Sequence, residues 1–246
     1  MSSEWSASER PSERRAATRT AVVQDALDPL LDADTLSVLD IGGGTGGLAV
    51  RIAARGHEVV VVDPSPDALA SLDRRAREAG VADRVTGRQG DLSDLPGLVP
   101  AGSVDLVLCH GVLEIVGDPV DALSRIADVL RPGGRLSLLV AQRYAAVVAR
   151  AMVGQFVAAR ELLDETGSHG RAGRRFTVTE LEALLEGAGL VAERVQGVRV
   201  FADLVPGSLV DAEPGSAQAL VDLERAVAER PELRPLATQL HLLARR

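Results

Sequence analysis

Asp40, a glycine-dense turn and Asp63 carry the types and spacing of a nucleoside-binding site. Asp40 closes an apolar run at 36–39 and is followed by Gly42, Gly43, Gly44, Thr45, Gly46 and Gly47 before a helical stretch begins. Glycine adopts positive φ and leaves room where a side chain would meet a ligand, and a helix that starts here offers unpaired N–H groups. Asp63 ends a second apolar run, 58–62, about twenty residues beyond the first glycine, where a carboxylate can accept both hydroxyls of a ribose.

Gly42, Gly44 and Gly47 also satisfy the G-x-G-x-x-G pattern of dinucleotide binding, which on its own is a weak signal. Two features bear on the choice. A carboxylate at Asp40, directly before the loop, suits the amino end of a cationic amino-acid cofactor, a need that an anionic dinucleotide lacks. The chain also contains no lysine, so all 27 basic residues are arginine. The Tyr-x-x-x-Lys pair of short-chain dehydrogenases is therefore missing: the single tyrosine, Tyr144, is followed by Ala145, Ala146, Val147 and Val148. The P-loop and every Schiff-base mechanism, including that of pyridoxal phosphate enzymes, are excluded for the same reason. Nicotinamide enzymes that need no lysine stay open.

These residues need a frame, and the pattern supplies one. Apolar runs predict strands near 36–40, 58–62, 84–87, 104–109 and 134–140, alternating with helices near 46–55, 66–79 and 119–130. Such alternation implies an α/β fold with a parallel sheet between helical layers. Ligands of such sheets sit beyond the carboxyl ends of the strands where strand order reverses, which gathers Asp40, Asp63, Asp91 and His110 around one crevice. Beyond the fifth strand come a long amphipathic stretch, 144–163, and a glycine-rich loop, 167–173. A capping box, Thr177 with Glu180, then starts a further helix. Strands near 190–200 and 238–244 complete the sheet, with a helix near 216–229 between them.

With 246 residues the chain holds one well-buried core, and only its first twenty residues look too polar to pack alone. No apolar signal core and no run of about 18 uncharged apolar residues occurs, so a cytoplasmic protein without a membrane partner is expected. One cysteine, Cys109, excludes an internal disulfide and a multi-cysteine metal site, and no metal is expected. A net charge of −8 argues against non-specific nucleic-acid binding. Arginines cluster at 14, 15 and 19 and again at 171, 174 and 175. All five aromatic residues (Trp5, Tyr144, Phe156, Phe176 and Phe201) lie outside 36–140, where they either anchor added helices or face an acceptor.

Read in order, Val38 to Gly46, Val62-Asp63-Pro64-Ser65, Gly90-Asp91-Leu92, Val104 to His110 and Leu130-Arg131-Pro132-Gly133-Gly134 resemble the successive motifs of class I S-adenosylmethionine-dependent methyltransferases. The resemblance implies a Rossmann-like fold with a mainly parallel seven-stranded sheet, helices on both faces and a small helical cap. It further implies residues 1–30 as an N-terminal segment or helix capping the site and 31–246 as the methyltransferase domain, with a helical insertion near 143–175. The cofactor implied is S-adenosyl-L-methionine, held by Arg19, Asp40, Gly42, Gly43, Gly44, Asp63, Gly90, Asp91 and His110, with Asp91 at the adenine amino group.

Three further stretches, Cys109 to Glu114 with Asp118-Pro119, Met152 to Phe156, and Gly197 to Asp203, resemble the bacterial tRNA methyltransferases that esterify 5-carboxymethoxyuridine at the wobble position. The arginine-rich loop here lacks the lysines and the proline of that family. The implied reaction is methyl transfer to an oxygen acceptor, a tRNA wobble-uridine carboxylate, with a small-molecule O- or N-methyltransferase as the alternative. Tyr144, Arg171, Arg174 and Arg175 are the candidate acceptor contacts. An ionised carboxylate needs no general base. A hydroxyl or amine acceptor does, and His110 is then the candidate catalytic residue.

Overall fold

The computed structural model describes residues 11–32, 34–163, 173–210 and 213–246, with the side chains of 11–19 outside that description. A helix, α1 (Pro11–Leu31), precedes β1 (Ser37–Ile41), α2 (Gly47–Ala53), β2 (Glu58–Asp63), α3 (Pro66–Glu78) and β3 (Val85–Gln89). A short α4 (Leu95–Leu98), β4 (Val104–His110), α5 (Pro119–Val129) and β5 (Leu130–Ala141) follow. Then come α6 (Arg143–Met152), α7 (Phe156–Leu163), α8 (Val178–Gly187), β6 (Val191–Val198), α9 (Gly207–Val210), α10 (Ser216–Val227) and β7 (Gln239–Arg245).

The seven strands lie in the order β3-β2-β1-β4-β5-β7-β6. The pairs β1 with β2, β1 with β4, β2 with β3 and β4 with β5 are all parallel. β7 runs against β5: Gly133 N–H reaches Arg246 O and Arg246 N–H reaches Gly134 O, while Gln142 N–H reaches Thr238 O. The expected Rossmann-like sheet is thus present, and its order reverses between β1 and β4. The central strands are dry, as parallel strands covered on both faces must be. Val107, Leu108, Leu136 and Leu138 are fully buried.

Local chemistry explains the helix starts. Ser65 Oγ accepts from Ala68 N–H at 3.2 Å and Pro66 opens α3. Asp118 accepts from Val120 and Asp121 N–H ahead of Pro119 in α5. Such caps are each worth about 1 kcal/mol. At α8 the reciprocal capping box read from the sequence is formed, with Glu180 Oε2 taking the Thr177 N–H at 2.8 Å.

The N-terminal segment is helical from Pro11, with Val22, Val23, Ala26, Leu27 and Leu31 recurring at helical spacing and buried. Two departures from the sequence reading have physical causes. The stretch 144–163 is two helices, since Gly154 takes φ +77° and lets its N–H reach Ala151 O. β5 starts four residues early, absorbing the Arg131 to Gly134 turn through an irregularity opposite Val104 to Leu106.

The chain divides into two compact units. One comprises Met1–Ala26, Gln142–Glu165 and Gln196–His241; the other comprises Leu27–Ala141, Thr166–Val195 and Leu242–Arg246. In the first, fully buried Glu224 accepts N–H bonds from Val200, Phe201 and Ala202 at 2.7–2.8 Å. In the second, Arg55 pairs with Asp28, in the last turn of α1, and with Asp32 just after it. No helix among the described residues is long and apolar enough to cross a membrane.

Candidate functional site

At the reversal point between β1 and β4 lies a cleft of about 540 Å³, within the usual range for small-molecule sites. Its lining includes Ile41, Gly42, Asp63, Gly90, Asp91 and His110, all at or beyond carboxyl ends of strands.

The loop after β1 is shaped by contacts that only glycine permits. Gly42 has φ +67°, and a Cβ there would lie 2.5 Å from Val112 Cγ2. A Cβ on Gly43 would lie 2.5 Å from Asp40 Oδ2 and 2.9 Å from Val61 Cγ1. N–H groups of the loop are bonded within the chain: Gly42 N–H donates to Val62 O at 2.8 Å and Gly46 N–H to Gly43 O at 3.0 Å. Gly44 N–H donates to Asp63 Oδ2 at 2.9 Å, while Ser65 N–H donates to Oδ1 at 2.9 Å. Each carboxylate oxygen is oriented by a backbone bond and keeps acceptor capacity for a diol. The Asp63-Pro64-Ser65 run thus both caps α3 and aims the acid.

Asp40 is 5% exposed, beneath the loop. Burial first, and then the charge of Asp63, push its carboxyl up to about 7. Asp91 caps the turn Leu92–Asp94 in a reciprocal box with Asp94, and its Oδ1 also accepts from Ser93 Oγ at 2.6 Å. The two Ser93 bonds hold its carboxyl below the usual carboxylate range. His110 lines the cleft, and its Nε2 is 2.8 Å from the Oγ of buried Ser137, which orients the ring.

The sequence reading passed over part of the lining. Asp118, Asp121, Ala122 and Arg125 also face the cleft, at the i, i+3, i+4, i+7 spacing of one helical face. That spacing was the available signal. Arg125 Nη1 donates to Ser93 O at 3.1 Å, joining α5 to the Asp91 turn. In all, Asp63, Asp91, Asp118 and Asp121 line the cleft against one guanidinium, so its field favours a cationic ligand and opposes an anionic dinucleotide.

The other candidates are placed as follows. Arg174 N–H donates to Glu114 O at 2.8 Å, and its guanidinium approaches the carbonyls of Val116 and Gly117 at 3.4 and 3.5 Å. Arg175 is half-buried and lends its charge to Glu114. Tyr144 is exposed in the first turn of α6. Arg19 belongs to α1, with its side chain outside the description, and Trp5, His169 and Arg171 lie outside the described residues. Phe176 is buried and Phe201 packs on a small core of Val200, Val227 and Ala237, whereas Phe156 is exposed. Cys109 is buried, and burial pushes its thiol up to about 12. His57 ties Leu36 N–H to the Leu31 carbonyl, and His241 Nδ1 lies 3.1 Å from Gln196 Oε1. Among the described residues no group of three or more His, Cys, Asp or Glu is placed to hold a metal ion.

Residues 38–134 match the model of a family described as a methyltransferase domain. Over 237 residues the chain is 30% identical to the tRNA 5-carboxymethoxyuridine methyltransferase of Escherichia coli O157:H7, covering 93% of this chain and 88% of that one. It is 36% identical over 161 residues, 65% of either chain, to the ubiquinone biosynthesis O-methyltransferase of Xanthomonas euvesicatoria pv. vesicatoria. Among solved structures, the geranyl diphosphate C-methyltransferase of Streptomyces coelicolor A3(2), crystallised with S-adenosyl-L-homocysteine, matches with a TM-score of 0.60 and 18% identity. That match covers 90% of this chain and 76% of the other, and shows the shared fold.

Proposed function

Because this chain belongs to the S-adenosylmethionine-dependent methyltransferases, we propose that it transfers the methyl group to a carboxylate oxygen of a modified wobble uridine in tRNA. The observation that carries the acceptor is the extent of the likeness to the tRNA enzyme, 93% of the chain, including segments beyond the shared domain.

The cleft fits the donor on its own geometry. The Gly42 and Gly43 backbone packs directly on Val112, Asp40 and Val61 with no room for a Cβ, which leaves the loop's own backbone as the cleft floor, and Asp63 presents two oriented oxygens. Four carboxylates meet a ligand with cationic ends. When bound there, S-adenosyl-L-methionine supplies a methyl group on a sulfonium whose departing thioether is neutral. The chain's part is to bind, orient and exclude water. In this reading Asp63 accepts the ribose hydroxyls, Asp91 faces the adenine amino group, and Asp40 with the Gly42 and Gly43 backbone orders the amino-acid end. Arg19 adds a contact to that end, and Gly90 gives the adenine clearance. His110, held by Ser137, contacts the donor side. A carboxylate acceptor is ionised at neutral pH and requires no base, so in-line alignment, worth effective molarities of about 10⁵ M or more, supplies most of the rate. Tyr144, Arg171, Arg174 and Arg175 are the proposed acceptor contacts.

A second reading, methylation of a small hydroxyl or amine compound, draws on the ubiquinone-pathway likeness and the net charge of −8. In it His110 becomes the general base. Methyl-labelled donor, incubated with purified protein and either tRNA bearing 5-carboxymethoxyuridine or a deproteinised metabolite extract, separates the two. Label in tRNA as an alkali-labile ester is expected. Label only in metabolites overturns the tRNA assignment.

A further inference from the structure

Glu114 is a buried acid beside the cleft that plays no part in the proposed transfer. It stands in the loop after β4, between Leu113, which is fully buried, and Ile115 and Val116, which line the cleft. Its side chain is 8% exposed, and its Oε1 accepts the N–H of Ala141, the last residue of β5, at 2.8 Å. Ala141 O in turn accepts Phe176 N–H at 3.0 Å, and Glu114 O accepts Arg174 N–H at 2.8 Å. Gly173, at φ +76°, packs against the same residue, where a Cβ would lie 3.3 Å from Glu114 Cβ and O. Three segments distant in sequence are thereby closed into one ring of bonds.

The second oxygen, Oε2, is buried and has no hydrogen-bond partner among the described residues. Burial raises the carboxyl above the usual carboxylate range, against the pull of its own backbone N–H, the Ala141 N–H and Arg175. An ionisable group with an unmatched oxygen is a poor choice for packing, since an apolar side chain fills such a space at less cost. What an apolar side chain cannot do is hold the Ala141 N–H. On the other side of the loop, Val112 Cγ2 occupies the space over Gly42, so a shift of this loop is transmitted to the cofactor floor.

We infer that Glu114 is a positioning residue for the methyl-transfer step: by bonding the β4 loop to the end of β5 and to residues 173–176, it sets the cleft wall formed by Val112, Ile115 and Val116. It acts through those residues and touches neither donor nor acceptor. The inference rests on the methyltransferase reading, and its test is built to fail separately from it.

Glu114→Ala and Glu114→Gln are compared with wild type by amide hydrogen exchange and by steady-state kinetics, using the acceptor found in the labelling assay. Glutamine keeps an oxygen for Ala141 N–H. Expected for alanine is faster exchange at Ala141, Arg174 and Phe176 and a kcat lower by about tenfold or more, with a smaller change in the KM for the donor. Expected for glutamine is wild-type exchange and recovery of most of kcat. Unchanged exchange in the alanine variant, in the absence of any acceptor, overturns the positioning role. So does a change confined to the donor KM, or a glutamine variant as slow as alanine despite wild-type exchange. If alanine does not fold, the glutamine comparison alone decides. A wild-type protein that transfers no methyl group to any acceptor instead sinks the functional reading, while the exchange data still report on the ring.

Discussion

Asp63 and Asp40 show how neighbouring carboxylates take different roles from their surroundings. Asp63 is aimed by two backbone N–H groups toward the cleft, and hydrogen bonds donated to a charged acceptor contribute about 1.5–3 kcal/mol each. Asp63→Ala is expected to weaken donor binding by about tenfold or more while the fold persists. Calorimetry on the folded variant decides, and unchanged affinity removes Asp63 from the site. Asp40 is raised to about 7 by burial and by Asp63, so below that pH the empty protein holds a proton there that its unfolded chain, with the ordinary value of 3.8, releases earlier. Its contribution to stability therefore declines as pH rises from about 4 to 7 and is level above. A cation beside Asp40 favours the ionised form. Donor binding between about pH 5.5 and 7 should then release a proton and tighten as pH rises. Titration in buffers of different ionisation heat measures this, and the release should vanish in Asp40→Asn. A proton count of zero in wild type contradicts the placement.

The elements matter because they bring backbone to where side chains cannot go. The β1 loop is packed so closely that Gly43 has no room for a methyl group, with Asp40 Oδ2 and Val61 Cγ1 both under 3 Å from the added carbon. Gly43→Ala should cost about 1–3 kcal/mol of stability through overpacking and weaken the donor in parallel. Denaturant unfolding with calorimetry tests it, and a variant that keeps wild-type stability and affinity refutes the tight floor. α5 illustrates the opposite economy. Asp118 caps the helix and Asp121 and Arg125 follow on the same face, so one helix start supplies a cap, two carboxylates and the bridge to Ser93. In the other unit Arg199 takes φ +58°, the one positive φ outside glycine among the described residues. It pairs with Asp203 at 3.0 Å while Glu224 fixes the next three N–H groups.

At the scale of the molecule, the features that proved legible are those written in short stretches of chain. Apolar runs place strands, Thr177 with Glu180 marks a helix start, and the glycine loop with Asp63 marks the candidate nucleoside site, because period, capping and turn geometry depend on near neighbours. The sequence by itself determined the parallel sheet and the expectation of a cleft at its carboxyl edge, where one lies, and its family resemblance determined the kind of cofactor. It did not determine that α6 and α7 part at Gly154, that Arg174 turns toward the carbonyls of the β4 loop, or that Glu114 reaches across to Ala141. The acidic rim joins residues 63, 91, 118 and 121, and its field exists only once three loops converge. Those were decided by tertiary structure, for the reason that burial, electrostatic coupling and hydrogen bonds between distant segments are properties of proximity in space, which no local pattern encodes.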